Sequence, residues 1–305
     1  MSNHSRRVSR LVRLEMLNEC LQWVLAHYSM ERASWIVNRL TSHVQTSGAT
    51  GIFVAATSIS DGMVDSSTAI DRQSLCGVAI AIRQPGNSAT LLALQVIGDA
   101  TPDEVLAPLV EKLSQTGVTF IQSGCDDDWQ GTMLASGGFE PLADLVMMSL
   151  EAEQFCDANK IVGHSDAEPA TLNPVTWVEL EQLGQDWRMH LDDIAAQTFI
   201  DTKDCPRLSD FRSAADIVQG YVEAVHFDHR LASLMRVGDQ WAGCLILTAH
   251  PSEASVQATA GDATDHPSEL GAVELTYMGL APRYRGKGLS GHLLAKAIRQ
   301  ATSVG

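Results

Sequence analysis

The feature that most constrains this 305-residue chain is an apolar run, Val273 to Leu280, that passes through a glycine-bearing turn, Ala281 to Gly291, into a segment of helical period. Leu289, Leu293, Leu294, Ala297, Ile298 and Ala301 fall on one helical face, so the turn joins a strand to a helix N-terminus. The first N–H groups of a helix have no partner inside it, and the helix dipole adds partial positive charge there. A turn free of bulky side chains lets an anion, above all a diphosphate, sit on bare main chain. Gly286 and Gly288 permit that approach, and Arg283, Arg285 and Lys287 surround it with positive charge.

Two chemical readings of the turn compete. Gly286, Gly288 and Gly291 match the spacing of a dinucleotide fingerprint, which requires a further strand and an acidic residue about 20 residues on; neither follows before Gly305. Arg283, Gly286 and Gly288 form Arg-x-x-Gly-x-Gly instead. With Pro282, Tyr284, Arg285 and Lys287 this resembles the acyl-CoA loop of the GNAT superfamily of N-acyltransferases. The plainer alternative is a glycine-softened helix start on a solvated basic face.

Composition frames these readings. With 45% hydrophobic residues the chain can build ordinary buried cores, as one large or two medium domains. A formal net charge of −16 argues against binding nucleic acid, where phosphate neutralisation drives affinity. The six cysteines lack any C-x-x-C pair, which suggests reduced thiols and a cytoplasmic protein. The N-terminus, despite Arg6, Arg7 and Arg10, has no continuous apolar segment, and no run approaches the ~18 apolar residues of a membrane span. We therefore expect neither export nor a membrane partner.

Patterning divides the chain into two α/β lobes. Residues 1–152 read as helices from about Val8 to Gln45, then strands at Gly51–Thr57, Leu75–Ile82 and Ala89–Ile97. A helix at Pro102–Ser114, a strand at Val118–Ile121, a helix at Trp129–Ala135 and a strand at Leu142–Leu150 follow. A polar linker is expected at 153–173. Residues 174–305 begin again with a strand at Val175–Leu180, helices at Trp187–Phe199 and Ser213–Val225, and a hairpin of Leu231–Val237 with Ala242–Thr248. The polar stretch from His250 to Gly271 reads as a mobile loop.

This element order, and the Gly-Phe turn at Ser136 to Glu140, also resembles the GNAT pattern, in the tandem, two-lobed bacterial type. The resemblance implies an α/β (α+β) fold of two lobes, each a mixed, mostly antiparallel sheet flanked by helices. The first lobe departs from the pattern: Gly98 to Glu104, where its phosphate loop belongs, carries three carboxylates and no glycine pair, so it is expected not to hold CoA in the usual way. The second lobe departs at its end, where a complete lobe would continue into a fifth strand. We expect a C-terminally incomplete lobe, with loss of catalysis as one consequence.

For an intact site the resemblance implies acetyl transfer from acetyl-CoA to an amine by direct attack on the thioester. Met278, Gly279 and Leu280 would hold the pantetheine arm and polarise the carbonyl. Arg283, Arg285, Gly286, Lys287, Gly288, Leu289 and Ser290 would cradle the diphosphate, and no metal is called for. Glu274 is the candidate base, placed by strand alternation on one face with Thr276 and Met278, where burial would raise its pKa; a solvent-facing strand residue is the alternative. Tyr277 and Tyr284 are candidate proton donors, with packing the competing role. The acceptor is a small-molecule or protein amine. A non-catalytic acyl-CoA-binding sensor or scaffold is the alternative function, and a nucleotide-binding regulatory domain a third.

The remaining motifs carry less. His226 and His229 lie three apart before a strand without a third zinc ligand nearby, Asp126 to Asp128 lacks a calcium-loop pattern, and Cys205 lacks an evident base. His292 lies on the first turn of the loop's helix, within reach of a phosphate or simply on its surface.

Overall fold

A computed structural model of the chain describes residues 6–60, 72–146, 148–150, 174–224, 226–251 and 270–304. The chain forms two compact units, Met1–Leu142 and Ala143–Gly305, each built on one sheet. The first comprises β1 (Arg6–Leu11), α1 (Leu17–Leu25), α2 (Met30–Ser47), β2 (Ile52–Ser60), β3 (Leu75–Gln84), β4 (Ser88–Val96), α3 (Pro102–Gln115), β5 (Phe120–Gln122) and α4 (Asp128–Ser136). Its strands lie in the order β1-β2-β3-β4-β5, antiparallel except for the parallel pair β4 and β5.

The middle of this sheet is buried on both faces, which is why β3 and β4 read as unbroken apolar runs rather than alternating ones. Cys20, Val24, Ile36 and Leu40 of α1 and α2 cover one face. Val105, Leu106, Leu109 and Leu113 of α3 cover the other, at the i, i+3, i+4 spacing that gives a helix one apolar stripe.

In the second unit the order is β6 (Val175–Glu179), α5 (Trp187–Phe199), α6 (Ala214–Val222), β7 (Phe227–Val237), β8 (Gln240–Pro251), β9 (Leu270–Leu280) and α7 (Ser290–Val304). The described sheet is β6-β7-β8-β9, wholly antiparallel, so the mixed character expected of both sheets belongs to the first. Cross-strand register assigns its faces. Leu234, Cys244 and Gly279 lie opposite one another, and a Cβ on Gly279 would stand 2.6 Å from Thr198 of α5, so this is the α5 face. Ser233, Leu245 and Met278 share the other, where Gln300 of α7 meets Ser233 and Glu179.

Two sequence expectations need correcting. The helix expected from Val8 begins only at α1, because residues 6–11 pair antiparallel with β2 as an edge strand; Ser9 Oγ lies 2.7 Å from Thr57 Oγ1 across that pairing. Six residues are too few for periodicity to separate helix from strand, and the neighbouring edge decides. The strand expected at Leu142–Leu150 does not form among its described residues, and Leu145, Val146 and Met148 are exposed there. A strand needs a partner edge, which the described residues do not provide. The linker at 153–173 and most of the loop at 250–271 lie outside the described residues.

Candidate functional site

The strand, turn and helix that dominate the sequence sit together at the edge of the second sheet. β9 is the last strand, so one side of its main chain pairs with no strand among the described residues. At its end Pro282–Tyr284 make one 3-10 turn, in which Tyr284 N–H donates to Ala281 and Arg285 N–H to Pro282. Beyond it the chain is bare: among the described residues, no protein acceptor takes the main-chain N–H of Gly286, Lys287, Gly288, Leu289, Ser290 or Gly291. The first helical bonds run from His292 and Leu293 back to the Leu289 carbonyl.

Glycine is needed here for its backbone. Gly286 and Gly288 have φ of 69° and 75°, a region costly for side-chain-bearing residues, and a Cβ on Gly286 would meet no atom within 4 Å. Gly286, Lys287, Gly288 and Ser290 are exposed, whereas Leu289 is buried in the core and anchors the helix start.

The matching helix start of the first unit shows the contrast. At α3, Thr101 Oγ1 accepts from Glu104 N–H, the Glu104 carboxylate accepts from Thr101 N–H, and Arg7 pairs with Glu104. That terminus is closed by its own side chains. The Thr101 amide, followed by Arg7, holds the Glu104 carboxyl below the usual carboxylate range.

The three cations of the turn do not act alike. Arg283 is exposed, with its guanidinium 4.9 Å from the Tyr284 ring centre and Nη2 donating to the Trp241 carbonyl. Lys287 is exposed, with its Nζ 5.7 Å from the centre of the same ring. Arg285, expected beside the anion, turns inward instead: it donates to the carbonyls of Leu280, Asp201 and Thr198 at 2.9, 3.1 and 2.8 Å. It ties the turn to the C-terminus of α5, whose last carbonyls have no helical donor. His292, at the first turn of α7, is half-buried.

The strand does not alternate as its sequence suggests. Ile246 faces Tyr277 and Leu247 faces Leu275, so Thr276 is an extra residue on β9, a β-bulge. The bulge resets the phase. Glu274, Tyr277 and Gly279 therefore share the α5 face, while Leu275, Met278 and Leu280 turn to the α7 face. Met278 thus lies opposite Glu274, not beside it as alternation predicts. Tyr277 is half-buried, stacks on Phe199 at 5.2 Å and lies 2.6 Å from Thr198 Oγ1. Burial raises its pKa well above that of a free phenol and pushes Tyr221, stacked at 5.8 Å, to about 12.

Glu274 is exposed rather than buried, at 57% of its side chain. It accepts from His250 Nε2 at 2.9 Å, and the His250 ring lies 5.9 Å from that of His226. This pair is not legible in the sequence, because His250 and Glu274 are brought together only by the register of β8 and β9. His226 and His229 go separate ways, His229 packing edge-on against Trp187 at 4.5 Å. No group of three side chains among the described residues is arranged to hold a metal. Cys205 has φ of 48° and is half-buried. A cavity of about 350 Å³ lined by Leu180, Glu181, Gly184, Trp187, Asp228, His229 and Arg230 lies away from the glycine turn.

The fold, two sheets flanked by helices with the second running from an edge strand through an open glycine turn into a helix, is similar to that of a solved GCN5-related N-acetyltransferase region. Among solved structures the chain is similar to a GCN5-related glucosamine N-acetyltransferase region of a fungal multi-domain GH3 β-N-acetylglucosaminidase. That match has 14% identity and a TM-score of 0.57; it covers 98% of this chain and 34% of that one, so this chain spans about a third of its length. A Trypanosoma brucei acetyltransferase matches at 12% identity and a TM-score of 0.29, over 48% of this chain and all of that one. An Enterococcus faecalis V583 probable N-acyltransferase matches at 9% identity and 0.43, over 96% and 63%. The first match is a likeness of fold. No protein-family model and no curated protein sequence matches the chain. Among the described residues, no helix is long and apolar enough to cross a membrane.

Proposed function

We propose that the second unit binds acetyl-CoA, or a related acyl-CoA, and transfers the acyl group to an amine. The observation that carries this reading is the run of main-chain amides from Gly286 to Gly291 at the start of α7, which find no protein acceptor among the described residues; Gly286, Lys287, Gly288 and Ser290 are exposed there, with Arg283 and Lys287 beside them. Those amides and cations suit a diphosphate. The edge of β9 that pairs with no strand among the described residues, from Leu280 back to Glu274 and roughly 20 Å long at about 3.3 Å per residue, gives an extended pantetheine arm main-chain partners. Main-chain N–H groups near Met278 to Leu280 polarise the thioester carbonyl, and Glu274 supplies the carboxylate of the base. The neutral amine attacks, the C–S bond breaks, and CoA leaves as its thiol once the amine's proton has been passed on.

The lobes of this reading are residues 1–152 and 174–305, joined by 153–173. The first lobe takes no CoA in this way, consistent with the capping of α3 by Thr101 and Glu104. The exposure of Glu274 favours a second reading, a non-catalytic acyl-CoA-binding sensor or scaffold. Titration calorimetry of CoA into the full chain, with thiol release from acetyl-CoA over a panel of amines, separates the two. Binding with turnover supports the enzyme, and binding without turnover the sensor. No binding, or binding undiminished in Gly288→Val, overturns both.

A further inference from the structure

Three titratable side chains from three parts of the second unit meet on the α5 face of its sheet. His250 comes from β8, Glu274 from β9 and His226 from the connection between α6 and β7. The bulge at Thr276 makes the meeting possible: with it, Glu274 falls on the face that carries Tyr277. Thr248, paired with Glu274, holds the bulge residue through a 2.6 Å contact between Thr248 Oγ1 and Thr276 Oγ1. The pair therefore bridges two hydrogen-bonded strands, β8 and the edge strand β9.

We infer that His250 is the group that takes the amine's proton and that Glu274 is its positioning residue. This rests on the acyl-transfer reading above and deepens it. Glu274 Oε2 accepts from His250 Nε2, which places the hydrogen on Nε2 and leaves the Nδ1 lone pair free to receive a proton. The acceptor arrives mostly as an ammonium ion, and Nδ1 removes one proton from it. The freed nitrogen lone pair forms the C–N bond. The C–S electron pair leaves with the thiolate, and a proton from the imidazolium or the attacking nitrogen completes the thiol; the second proton lost by the nitrogen passes to solvent, which leaves the amide neutral and His250 again a base.

The surroundings fit that task. His226 stands edge-on to His250, and burial, then His250 itself, hold His226 below the ordinary histidine range, so it faces the pair as a neutral ring. Tyr221 of α6, influenced by Asp204, Arg212 and Glu274, remains a neutral phenol, as does Tyr277 of β9. Glu274 is thus the anion that bears directly on His250, and a charge-assisted bond from a carboxylate fixes the ring's tautomer and stabilises the imidazolium that forms.

The test uses the full chain with acetyl-CoA and a panel of primary amines. In His250→Gln, kcat is expected to fall about 100-fold, within the usual range for losing a general base, with CoA binding by calorimetry unchanged. The remaining rate should climb with pH in step with the free-base fraction of the amine, whereas the wild-type rate should be much flatter. Glu274→Ala should cost about tenfold in kcat, and 15N spectra of labelled protein should show His250 losing its single Nε2–H tautomer, which a merely structural role would not produce. Turnover unchanged in His250→Gln, or a wild-type protein that binds CoA and acylates no amine, overturns the role of His250. Absence of CoA binding fails the underlying reading instead.

Discussion

Arg285 Nη2 donates to the main-chain carbonyl of Thr198 at 2.8 Å, and its other nitrogens hold the carbonyls of Leu280 and Asp201. One guanidinium thus joins the end of β9, the end of α5 and the start of the glycine turn. In a motif of three cations, this one shapes the site, and the other two are exposed beside the Tyr284 ring.

Arg285→Ala should accordingly lower stability by about 1–3 kcal/mol, the range for charged hydrogen bonds lost at partly buried carbonyls, measured by urea denaturation. Arg285→Lys should recover little, because one ammonium on a flexible stem cannot bridge three carbonyls in a fixed plane. Equal stability of the alanine variant would show that water replaces all three bonds.

Arg283→Glu and Lys287→Glu should leave stability within about 0.5 kcal/mol, as exposed positions do. Each should weaken CoA binding about tenfold, with a smaller penalty at high salt. Calorimetry at two ionic strengths decides the matter, and an effect independent of salt would count against a role in meeting the diphosphate.

Gly279 and Gly243 should resist alanine for a reason unrelated to chemistry. A Cβ on Gly279 would lie 2.6 Å from Thr198 Cβ and 2.8 Å from the Tyr277 hydroxyl, and one on Gly243 2.4 Å from the Gly279 carbonyl oxygen. Each substitution should cost about 1–3 kcal/mol by overpacking, Gly243→Ala the more, since a main-chain atom yields less than a side chain. Thermal denaturation checks the order.

Alkali should destabilise the second unit. Burial pushes the Cys244 thiol from 9.0 to about 12 and Tyr221 from 10.0 to about 12. The folded state keeps both protonated while the unfolded chain ionises, so stability is intact below about pH 9 and falls as pH rises toward 12. Cys244→Ala should show a shallower decline over that window in denaturation curves. In the native wild type, a thiol reagent should label exposed Cys125 and spare Cys244.

The Thr101 and Glu104 capping box gives the opposite limb. Because the Glu104 carboxyl is held below its ordinary value, its contribution is present at neutral pH and lost on acidification through that lowered value. Thr101→Ala should cost about 1 kcal/mol, read by denaturation at neutral pH.

Much of the fold was legible because long segments carry one period. Trp187–Phe199 forms the helix its spacing predicts, and the buried runs of β3 and β4 fall where the apolar stretches lie. Short or edge segments were not, as residues 6–11 and 142–150 show, since a strand at an edge depends on a neighbour distant in sequence. The glycine turn was visible, but the inward turn of Arg285 was not, since two of its three acceptors are main-chain carbonyls of α5 and the loop beyond, more than 80 residues away.

By itself the sequence determined where the chain must bend and expose its main chain, because positive φ at Gly286 and Gly288 and the helix start after them are local matters of sterics and dipole. Only the tertiary structure decided which side chains share a face. The extra residue at Thr276 shifts the period of β9, turning Met278 from Glu274 and setting His250 beside it. A bulge belongs to the pairing of two strands and is written in neither one alone.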